Sequence, residues 1–303
     1  MWQDAWHRLS RNKAAMLGLW FLVLIVLLCF LGPLMPFIKS PTAINLDNAG
    51  AAPDAEHWLG TDQLGRDVMS RVLYGGQISL LVGFVATAVA VLIGLVYGAV
   101  SGYFGGKVDD LMMRIVDILF ALPFLVLVIL FSLVVDKPAS DFTEWVIRTT
   151  GWSRDKVAPI TTLIPLFIAI GAIGWLTIAR IVRAQVITYK QQEFVEAARS
   201  LGLGHLRILF RHILPNVVGP IIVYTTLAVP GIMLLESVLS FLGLGVQPPN
   251  SSWGILIKEG ADRMETDMGL LIYPAFFFSS TLFALNFLGD GLRDALDPKA
   301  AKD

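Results

Sequence analysis

Residues 14–38 have the sequence AAMLGLWFLVLIVLLCFLGPLMPFI, an uncharged stretch of 25 residues. A helix needs about 20 predominantly apolar residues to cross the ~30 Å hydrocarbon core of a bilayer. The alternation of apolar and polar residues that a transmembrane β-strand requires is missing from its segment 22–28, LVLIVLL. The stretch therefore predicts a membrane-spanning α-helix.

The basic residues Arg8, Arg11 and Lys13 precede this stretch, which raises the alternative of a cleaved signal peptide. The apolar region of a signal peptide is about 7–15 residues long and ends in a small-x-small cleavage site. Here the apolar region is longer and continues into residues 32–36, GPLMP, so we expect it to remain as an anchor. The single cysteine, Cys29, lies within it and predicts no intrachain disulfide.

Five more uncharged, apolar stretches are each 18–27 residues long. They are residues 78–104, 118–135, 157–179, 213–235 and 268–289. Hydrophobic residues make up 55% of the 303-residue chain, charged residues only 16%, and the mean hydropathy is +0.69, whereas soluble proteins are about a quarter charged. We therefore predict an all-α, polytopic membrane protein with six transmembrane helices.

Residues 1–13 predict a short amphipathic helix, with Trp2, Trp6 and Leu9 set among polar residues. Such a helix lies at the headgroup layer with its apolar face in contact with membrane lipid. An ordinary juxtamembrane tail is the alternative.

Six spans put both chain ends on the same side of the membrane, and the basic residues indicate which side. Fourteen of the 23 Lys and Arg residues lie in segments on the side of the termini, and nine lie on the other side. Basic residues are enriched in cytoplasmic loops, because their translocation is unfavourable. We therefore expect both termini in the cytoplasm and the segments 39–77, 136–156 and 248–267 outside.

The second span carries a glycine every four residues, at Gly94, Gly98, Gly102 and Gly106. Small residues at this spacing let two helices approach closely in a bilayer. We expect the stripe to pack against another helix of the same chain.

Five prolines interrupt four of the spans. They are Pro123, Pro165, Pro220, Pro230 and Pro274. Each lacks an amide donor and is expected to bend its helix. Bends permit the rocking of a transporter, but they also occur in rigid membrane proteins.

The first outer segment includes the sequence LGTDQLGRD at residues 59–67. Thr61 or Asp62 is expected to cap the start of a helix, which puts Asp62 and Arg66 on one face as an ion pair. The pair is expected to be structural, and contact with a protein outside the membrane is the functional alternative.

The chain has no recognisable catalytic or nucleotide-binding residue set. His205 and His212 are seven positions apart without the acidic partner of a metal site, and His7 and His57 lie in other segments. The segment 105–107, GGK, lacks the first glycine and the final Ser or Thr of a phosphate-binding P-loop. We therefore predict no enzymatic activity, no metal and no cofactor, and any energy source must be a partner protein or an ion gradient.

The inner segment 180–215 is polar and rich in helix-forming residues. Its part 192–201, QEFVEAARSL, predicts a short helix that stops at the glycines 202 and 204. The small and charged side chains of this helix offer a docking surface for another protein, and a solvated connector is the alternative. The residues of the surface are Glu193, Glu196, Ala197, Ala198 and Arg199.

Two carboxylates lie close to the ends of predicted spans, Asp117 at the third and Glu236 at the fifth. Ionisable residues within a membrane are costly and commonly functional. We expect water or one of Arg114, Arg180 and Arg183 to satisfy them, and contact with a transported solute is the alternative. The sequence identifies no substrate-binding residue.

The inner helix resembles the EAA loop in the permease subunits of bacterial binding-protein-dependent importers, which are ATP-binding-cassette (ABC) transporters. The matching residues are Glu196, Ala197, Ala198, Gly202, Leu214 and Pro215. His212 occupies the position where the pattern has isoleucine, and Ile213 follows it. In this family the loop forms a coupling helix in a groove of the ATPase subunit. The resemblance implies that role for the residues Glu196, Ala197, Ala198 and Gly202.

Other segments resemble the peptide and nickel permease group of these importers. They are residues 59–67, 236–245, 252–254 and 289–298. The resemblance covers nearly the whole chain and is strongest to the C subunits of oligopeptide permeases. It implies a type I ABC importer permease fold in three parts. These are residues 1–76 with the first span and an external loop, residues 77–291 with five spans and the coupling loop, and a cytoplasmic tail at 292–303.

The resemblance also implies a function, in which the chain forms half of a translocation pathway for oligopeptides in the bacterial inner membrane. The implied partners are a homologous second permease, two ATPase subunits and an extracytoplasmic peptide-binding protein, with no role for nucleic acid. A permease of the same group for dipeptides, nickel or another small solute is the alternative. A secondary transporter that works alone is a further alternative.

Overall fold

The computed structural model describes residues 2–154, 157, 161–246 and 250–296. Within these ranges every regular element is a helix or a helical turn. The elements are α1 (Trp2–Arg11), α2 (Lys13–Leu31), α3 (Val68–Phe104), α4 (Gly106–Ala121), α5 (Phe124–Thr150), α6 (Ile164–Lys190), α7 (Glu193–Ser200), α8 (His205–Ile208), a π-helical turn (Leu209–Ile213), α9 (Leu214–Phe241), α10 (Trp253–Ala261), α11 (Gly269–Leu296) and 3-10 turns at Gly32–Leu34 and Leu46–Asn48.

The described helices fit six membrane crossings, as predicted. The helices α2, α3, α6 and α11, and the continuous segment from α8 to α9, are each long and apolar enough to span a bilayer. The sixth crossing combines α4 and α5, which meet at an angle of 99°. Residues 158–160 of the fourth predicted span lie outside the described ranges.

The third predicted span is not a single straight helix. Helix α4 ends at Ala121, and Leu122 adopts an extended conformation before Pro123. A proline disfavours a helical conformation of the preceding residue and has no amide hydrogen to donate, so the helix breaks at this point. The other four prolines were also expected to bend their helices. Pro165 lies in the first turn of its helix, whereas Pro220, Pro230 and Pro274 lie inside helices.

The close contact of α3 with α6 forms the centre of the bundle. A Cβ atom added at Gly98 would lie 2.8 Å from Cβ of Val182, closer than van der Waals contact allows. The predicted seam within the chain is therefore confirmed for the first three glycines of the stripe. Gly106 does not belong to the seam, because α3 ends at Phe104 and a Cβ at Gly106 would meet nothing within 4 Å.

Helix α10, which was not expected from the sequence, closes the end of the bundle opposite α7. The side chain of Trp253 is fully buried, donates from Nε1 to the carbonyl oxygen of Val72 at 2.9 Å and packs against Phe278. The hydroxyl of Ser252 caps the helix by accepting from the amide of Ile255. Helix α10 thereby fastens the start of α3 to α11.

The N-terminal helix α1 packs on the last helix. Ala5 and Leu9 are buried beside Ala295 of α11, whereas Trp6 is exposed. The predicted helix within residues 1–13 is therefore confirmed, but Leu9, which was expected on a face toward lipid, packs on α11 instead. The side chain of Trp2 lies outside the described part of the chain.

The helices do not stop at the segment boundaries that the resemblance implies. Positions 76 and 77 lie within α3, and positions 291 and 292 lie within α11. The first outer segment is correspondingly shorter, because Asp67, rather than Thr61 or Asp62, caps α3 by accepting from the amide of Ser70. Residues from 297 onward lie outside the described ranges.

Substituting Gly98 by valine should destabilise the protein by about 1–3 kcal/mol, because the added methyl groups must push α6 away from α3. Gly231→Ala is the matched control. Nothing lies within 4 Å of a Cβ at that position, and alanine is favoured over glycine in a helix by about 1 kcal/mol. Thermal unfolding of the purified variants in detergent measures both effects, and a Gly98→Val variant as stable as wild type would contradict the seam.

Candidate functional site

The inner segment forms a separate short helix, α7, between α6 and α8. The helix begins after Gln192 and carries Glu193 and Glu196 in its first turn and Arg199 in its last. Negative charges are favourable near the start of a helix and positive charges near its end, because the peptide dipoles align along the axis. The charge distribution therefore stabilises a helix of only eight residues.

Helix α7 stops where the glycine was expected to stop it. The amide of Leu203 donates to the carbonyl of Ala198 at 3.2 Å, and the amide of Gly202 donates to that of Arg199 at 2.9 Å, which is the Schellman pattern. Gly202 has a φ of 72°, a left-handed conformation that glycine adopts without steric cost. Gly202 thus sets the direction in which the chain leaves α7.

The two sides of α7 differ in exposure. Val195 and Ala198 are buried in an apolar cluster with Val186 and Ile208. Both alanines were expected on the docking surface, where their small side chains would let another protein approach. Only Ala197 faces outward, and Ala198 packs the helix onto the bundle. The exposed residues of α7 are Glu193, Phe194, Glu196, Ala197, Arg199 and Ser200.

Four large apolar side chains beside this surface were missed in the sequence. They are Phe194, Leu201, Leu206 and Phe210, and Leu201 is 80% exposed. One feature of the sequence could have indicated them: they are large apolar residues in a polar segment, and their spacing does not follow that of the buried residues. Neighbouring exposed apolar side chains mark interaction sites. These four residues, with Glu193, Glu196, Ala197 and Arg199, are called the inner surface below.

Tyr103, near the end of α3, holds the inner surface to the bundle. Its hydroxyl lies 3.0 Å from Nδ1 of His205 at the start of α8. Nζ of Lys190, the last residue of α6, lies 5.7 Å from the centre of the Tyr103 ring, which is within cation–π range. The inner surface is therefore tied to both helices of the seam.

Asp117 pairs with an arginine of α6, which is one of the expected arrangements. Nη2 of Arg180 donates to Oδ1 of Asp117 at 2.7 Å, and the guanidinium carbon lies 4.0 Å from the centre of the Phe120 ring. Both charged side chains remain about half exposed. The pair joins α4 to α6 at their surface.

Glu236 is satisfied by serines rather than by an arginine, contrary to expectation. Its side chain is fully buried, and its carboxyl oxygens accept from Oγ of Ser240 at 2.6 Å and from Oγ of Ser79 at 3.4 Å. Ser79 also accepts from the amide of Trp253 at 3.1 Å, and Oγ of Ser252 lies 3.4 Å from that of Ser240. The carboxyl group thus joins α3, α9 and the start of α10.

The expected ion pair between Asp62 and Arg66 is confirmed, with 2.7 Å between Oδ2 and Nε. The pair lies in a loop rather than on a helix. Arg71 is buried and donates to the same oxygen of Asp62 at 2.8 Å and to Glu259 of α10 at 2.7 Å. A cavity of about 630 Å³ opens beside this network, which fastens α10 to the start of α3.

His57 is buried in the same loop between two charged groups. Its Nδ1 lies 3.0 Å from Oδ1 of Asp67, and its Nε2 lies 3.1 Å from Nζ of Lys39. A lysine ammonium only donates, so Nε2 accepts and Nδ1 carries the proton.

The amides of His57 and Glu56 both donate to Asp54, which holds the pKa of that carboxyl below its usual value.

The six apolar crossings of the described residues, with an exposed and partly charged surface at α7, are those of a multi-pass membrane protein. Two family descriptions match the chain. They are "Binding-protein-dependent transport system inner membrane component" over residues 90–302 and "N-terminal TM domain of oligopeptide transport permease C" over residues 1–53. The chain therefore belongs to the family of binding-protein-dependent transport system inner membrane components.

Relatives of this family match almost the whole chain, which confirms the resemblance found in the sequence. The oligopeptide transport system permease protein OppC of Haemophilus influenzae is 46% identical over 99% of the chain and 89% of its own length. OppC of Escherichia coli K12 is 45% identical over 99% of the chain and 91% of its own length. The dipeptide transport system permease protein DppC of Bacillus subtilis is 42% identical over 98% of the chain and 85% of its own length.

Replacing Glu236 by alanine should lower the free energy of unfolding by about 1–3 kcal/mol, because buried serine hydroxyls lose their acceptor. Glu236→Gln keeps an acceptor oxygen and should lower the free energy of unfolding by less than the alanine variant does. The matched control is Glu265→Ala, an exposed glutamate between α10 and α11. Thermal unfolding in detergent ranks the variants, and an alanine variant no less stable than the glutamine variant would show that the cluster does not stabilise the fold.

Proposed function

We propose that this chain is the permease subunit of an ATP-driven, binding-protein-dependent importer and forms half of a translocation pathway for oligopeptides. The observation that carries the proposal is its identity of 45–46% with OppC proteins over nearly the full length of the chain. Dipeptides are the second candidate cargo, favoured by the 42% identity with DppC of Bacillus subtilis.

The inner surface is the contact with the ATPase in this proposal. Glu193, Glu196 and Arg199 supply charged contacts, while the short side chain of Ala197 lets the partner approach closely. The exposed side chain of Leu201 and its apolar neighbours supply area for burial, worth about 25 cal/mol per Å² removed from water. Two further residues act indirectly. They are Ala198, which packs α7 onto the bundle, and Gly202, which ends the helix.

The proposed assembly contains this chain, a homologous second permease, two ATPase subunits and an extracytoplasmic peptide-binding protein. The ATPase subunits hydrolyse ATP, and this chain is not itself an enzyme. A partner shifts a conformational equilibrium only by its difference in affinity for the two forms. Docking on the inner surface must therefore depend on whether the pathway faces outward or inward.

In its proposed orientation the chain lies in the bacterial inner membrane with both termini and α7 in the cytoplasm. The excess of basic residues on that side supports the orientation. The packing of α1 on the end of α11 agrees with the part of the proposal that puts both ends of the described chain on one side. The loop of residues 39–67 and α10 are then outside, where a peptide-binding protein approaches.

Labelling of intact cells with a membrane-impermeant maleimide tests the orientation. In a Cys29→Ser background, a Ser140→Cys variant should react in intact cells, and a Ser200→Cys variant should react only after the membrane is permeabilised. Both serines are exposed, so a difference in labelling reports sidedness rather than burial. The reverse pattern would show that α7 lies outside.

Glu196→Lys and Gly202→Pro should each abolish peptide uptake while leaving the chain in the membrane. The first reverses a charge on the inner surface. The second removes the φ of 72° at the end of α7, because a proline ring holds φ near about −65°. The measurement is uptake of a labelled peptide by liposomes that hold the complete transporter, together with co-purification of the ATPase.

The control for these variants is Asp290→Lys, which reverses an exposed charge on α11 that is not part of the inner surface. It should preserve uptake and co-purification. Undiminished uptake by both the Glu196→Lys and the Gly202→Pro variants would refute the coupling role of α7.

A further inference from the structure

We infer that the Asp109–Arg183 pair positions α4 and carries movement of α7 to the bent crossing formed by α4 and α5. The inference rests on the proposed coupling function of α7. It adds a path by which that site acts on the rest of the bundle. Asp109 and Arg183 are positioning residues here, since neither is part of the inner surface.

Helix α4 lies between two breaks in the helical backbone. At its start, Gly105 and Gly106 have φ angles of 68° and 53°, and a Cβ at Gly106 would meet nothing within 4 Å. Glycine is therefore required by the backbone conformation rather than by packing. At its end, Leu122 is extended before Pro123, and the chain turns by 99°. Neither end continues rigidly into a neighbouring helix.

Few contacts hold α4 to the bundle between these breaks. Only two of its 16 residues are buried, Asp109 and Val116, and Val116 packs in the central apolar cluster with Met113 and Leu119 beside it. The hydroxyl of Tyr97 donates to the carbonyl of Met112 at 2.8 Å. The pair of Asp117 with Arg180 is about half exposed, and exposed ion pairs contribute little because water screens them.

The Asp109 pair is the more buried of the two ion pairs that tie α4 to α6. Nε and Nη2 of Arg183 donate to different oxygens of the Asp109 carboxylate, and the hydroxyl of Ser101 donates to it as well. A two-point contact between guanidinium and carboxylate fixes orientation as well as distance. Since Ser101 belongs to α3 and Arg183 to α6, the start of α4 is fixed to both helices of the seam.

The last two turns of α6 and a two-residue link, Gln191 and Gln192, connect this tie to α7. Arg183 lies seven residues, or about two turns, before the end of α6 at Lys190, and α7 begins at Glu193. A displacement of α7 by a docked partner therefore reaches Arg183 through this two-residue link and the last two turns of α6. Asp109 passes that displacement on to α4, because the glycine break leaves α4 without a continuous helical connection to α3, and side-chain contacts such as that of Ser101 are what remain.

The test uses the complete transporter in liposomes, with the partner permease, the ATPase subunits and the peptide-binding protein. Asp109→Asn and Arg183→Gln should each lower peptide uptake per ATP hydrolysed by about fivefold or more, the range typical of coupling between sites. ATP hydrolysis and co-purification of the ATPase should persist. Arg183→Lys keeps the charge without the two-point contact and should give an intermediate ratio.

The matched control is Asp110→Asn, which neutralises the exposed neighbouring carboxylate. It should keep the wild-type ratio of uptake to ATP hydrolysis. A loss in this variant equal to that in Asp109→Asn would overturn the inference, because a general charge effect would then explain both.

A second measurement does not depend on activity. Spin labels at the exposed residues Leu111 on α4 and Ala184 on α6 should give a narrow distance distribution in wild type and in Asp110→Asn, and a broad one in Asp109→Asn. If Asp109→Asn does not reach the membrane, Arg183→Lys replaces it in both measurements.

An unchanged uptake ratio or an unchanged distance distribution in Asp109→Asn would overturn the inference and leave the proposed function standing. Failure of the wild-type chain to bind an ATPase would instead overturn the proposed function, and the inference with it. The two failures are therefore distinguishable.

Discussion

The close approach of α3 and α6 is the contact on which the rest of the structure depends. Lipid provides no hydrophobic driving force between helices, so van der Waals contact between closely packed backbones must hold them together. Glycines such as Gly98 permit that contact by removing the side chains between the two axes. One end of the seam carries α7, which follows α6, and the other end holds α10 through Trp253. A single tight helix pair therefore organises both ends of the molecule.

The six crossings were predictable because an apolar stretch responds to the solvent around it rather than to distant residues. The bend and α10 were not. A proline's effect depends on whether its surroundings satisfy the groups it frees, so Pro220 and Pro230 remain inside α9 whereas Pro123 follows the end of α4. The burial of Trp253 depends on Val72, 181 positions away, and no local pattern encodes that distance.

At the candidate site, too, the features with local causes were predictable from the sequence, and those that depend on distant residues were not. The existence and the end of α7 followed from helix propensity and Gly202, which are local. An eight-residue helix has too few turns for periodicity to distinguish its faces, so the opposite exposure of Ala197 and Ala198 required the fold. The three serines around Glu236 come from positions 79, 240 and 252, which only the folded chain brings together. Arg180 was one of three arginines expected near Asp117, because they lie at the same end of the spans, and the fold selects it among them.

The burial of Trp253 has a spectroscopic consequence. An indole enclosed in an apolar environment emits at short wavelength and is protected from quenchers dissolved in water. The chain has eight tryptophans, and Trp253 is fully buried between α3 and α11. The fluorescence of a variant that retains only this indole would report separation of α10 from the bundle during turnover, without an attached dye.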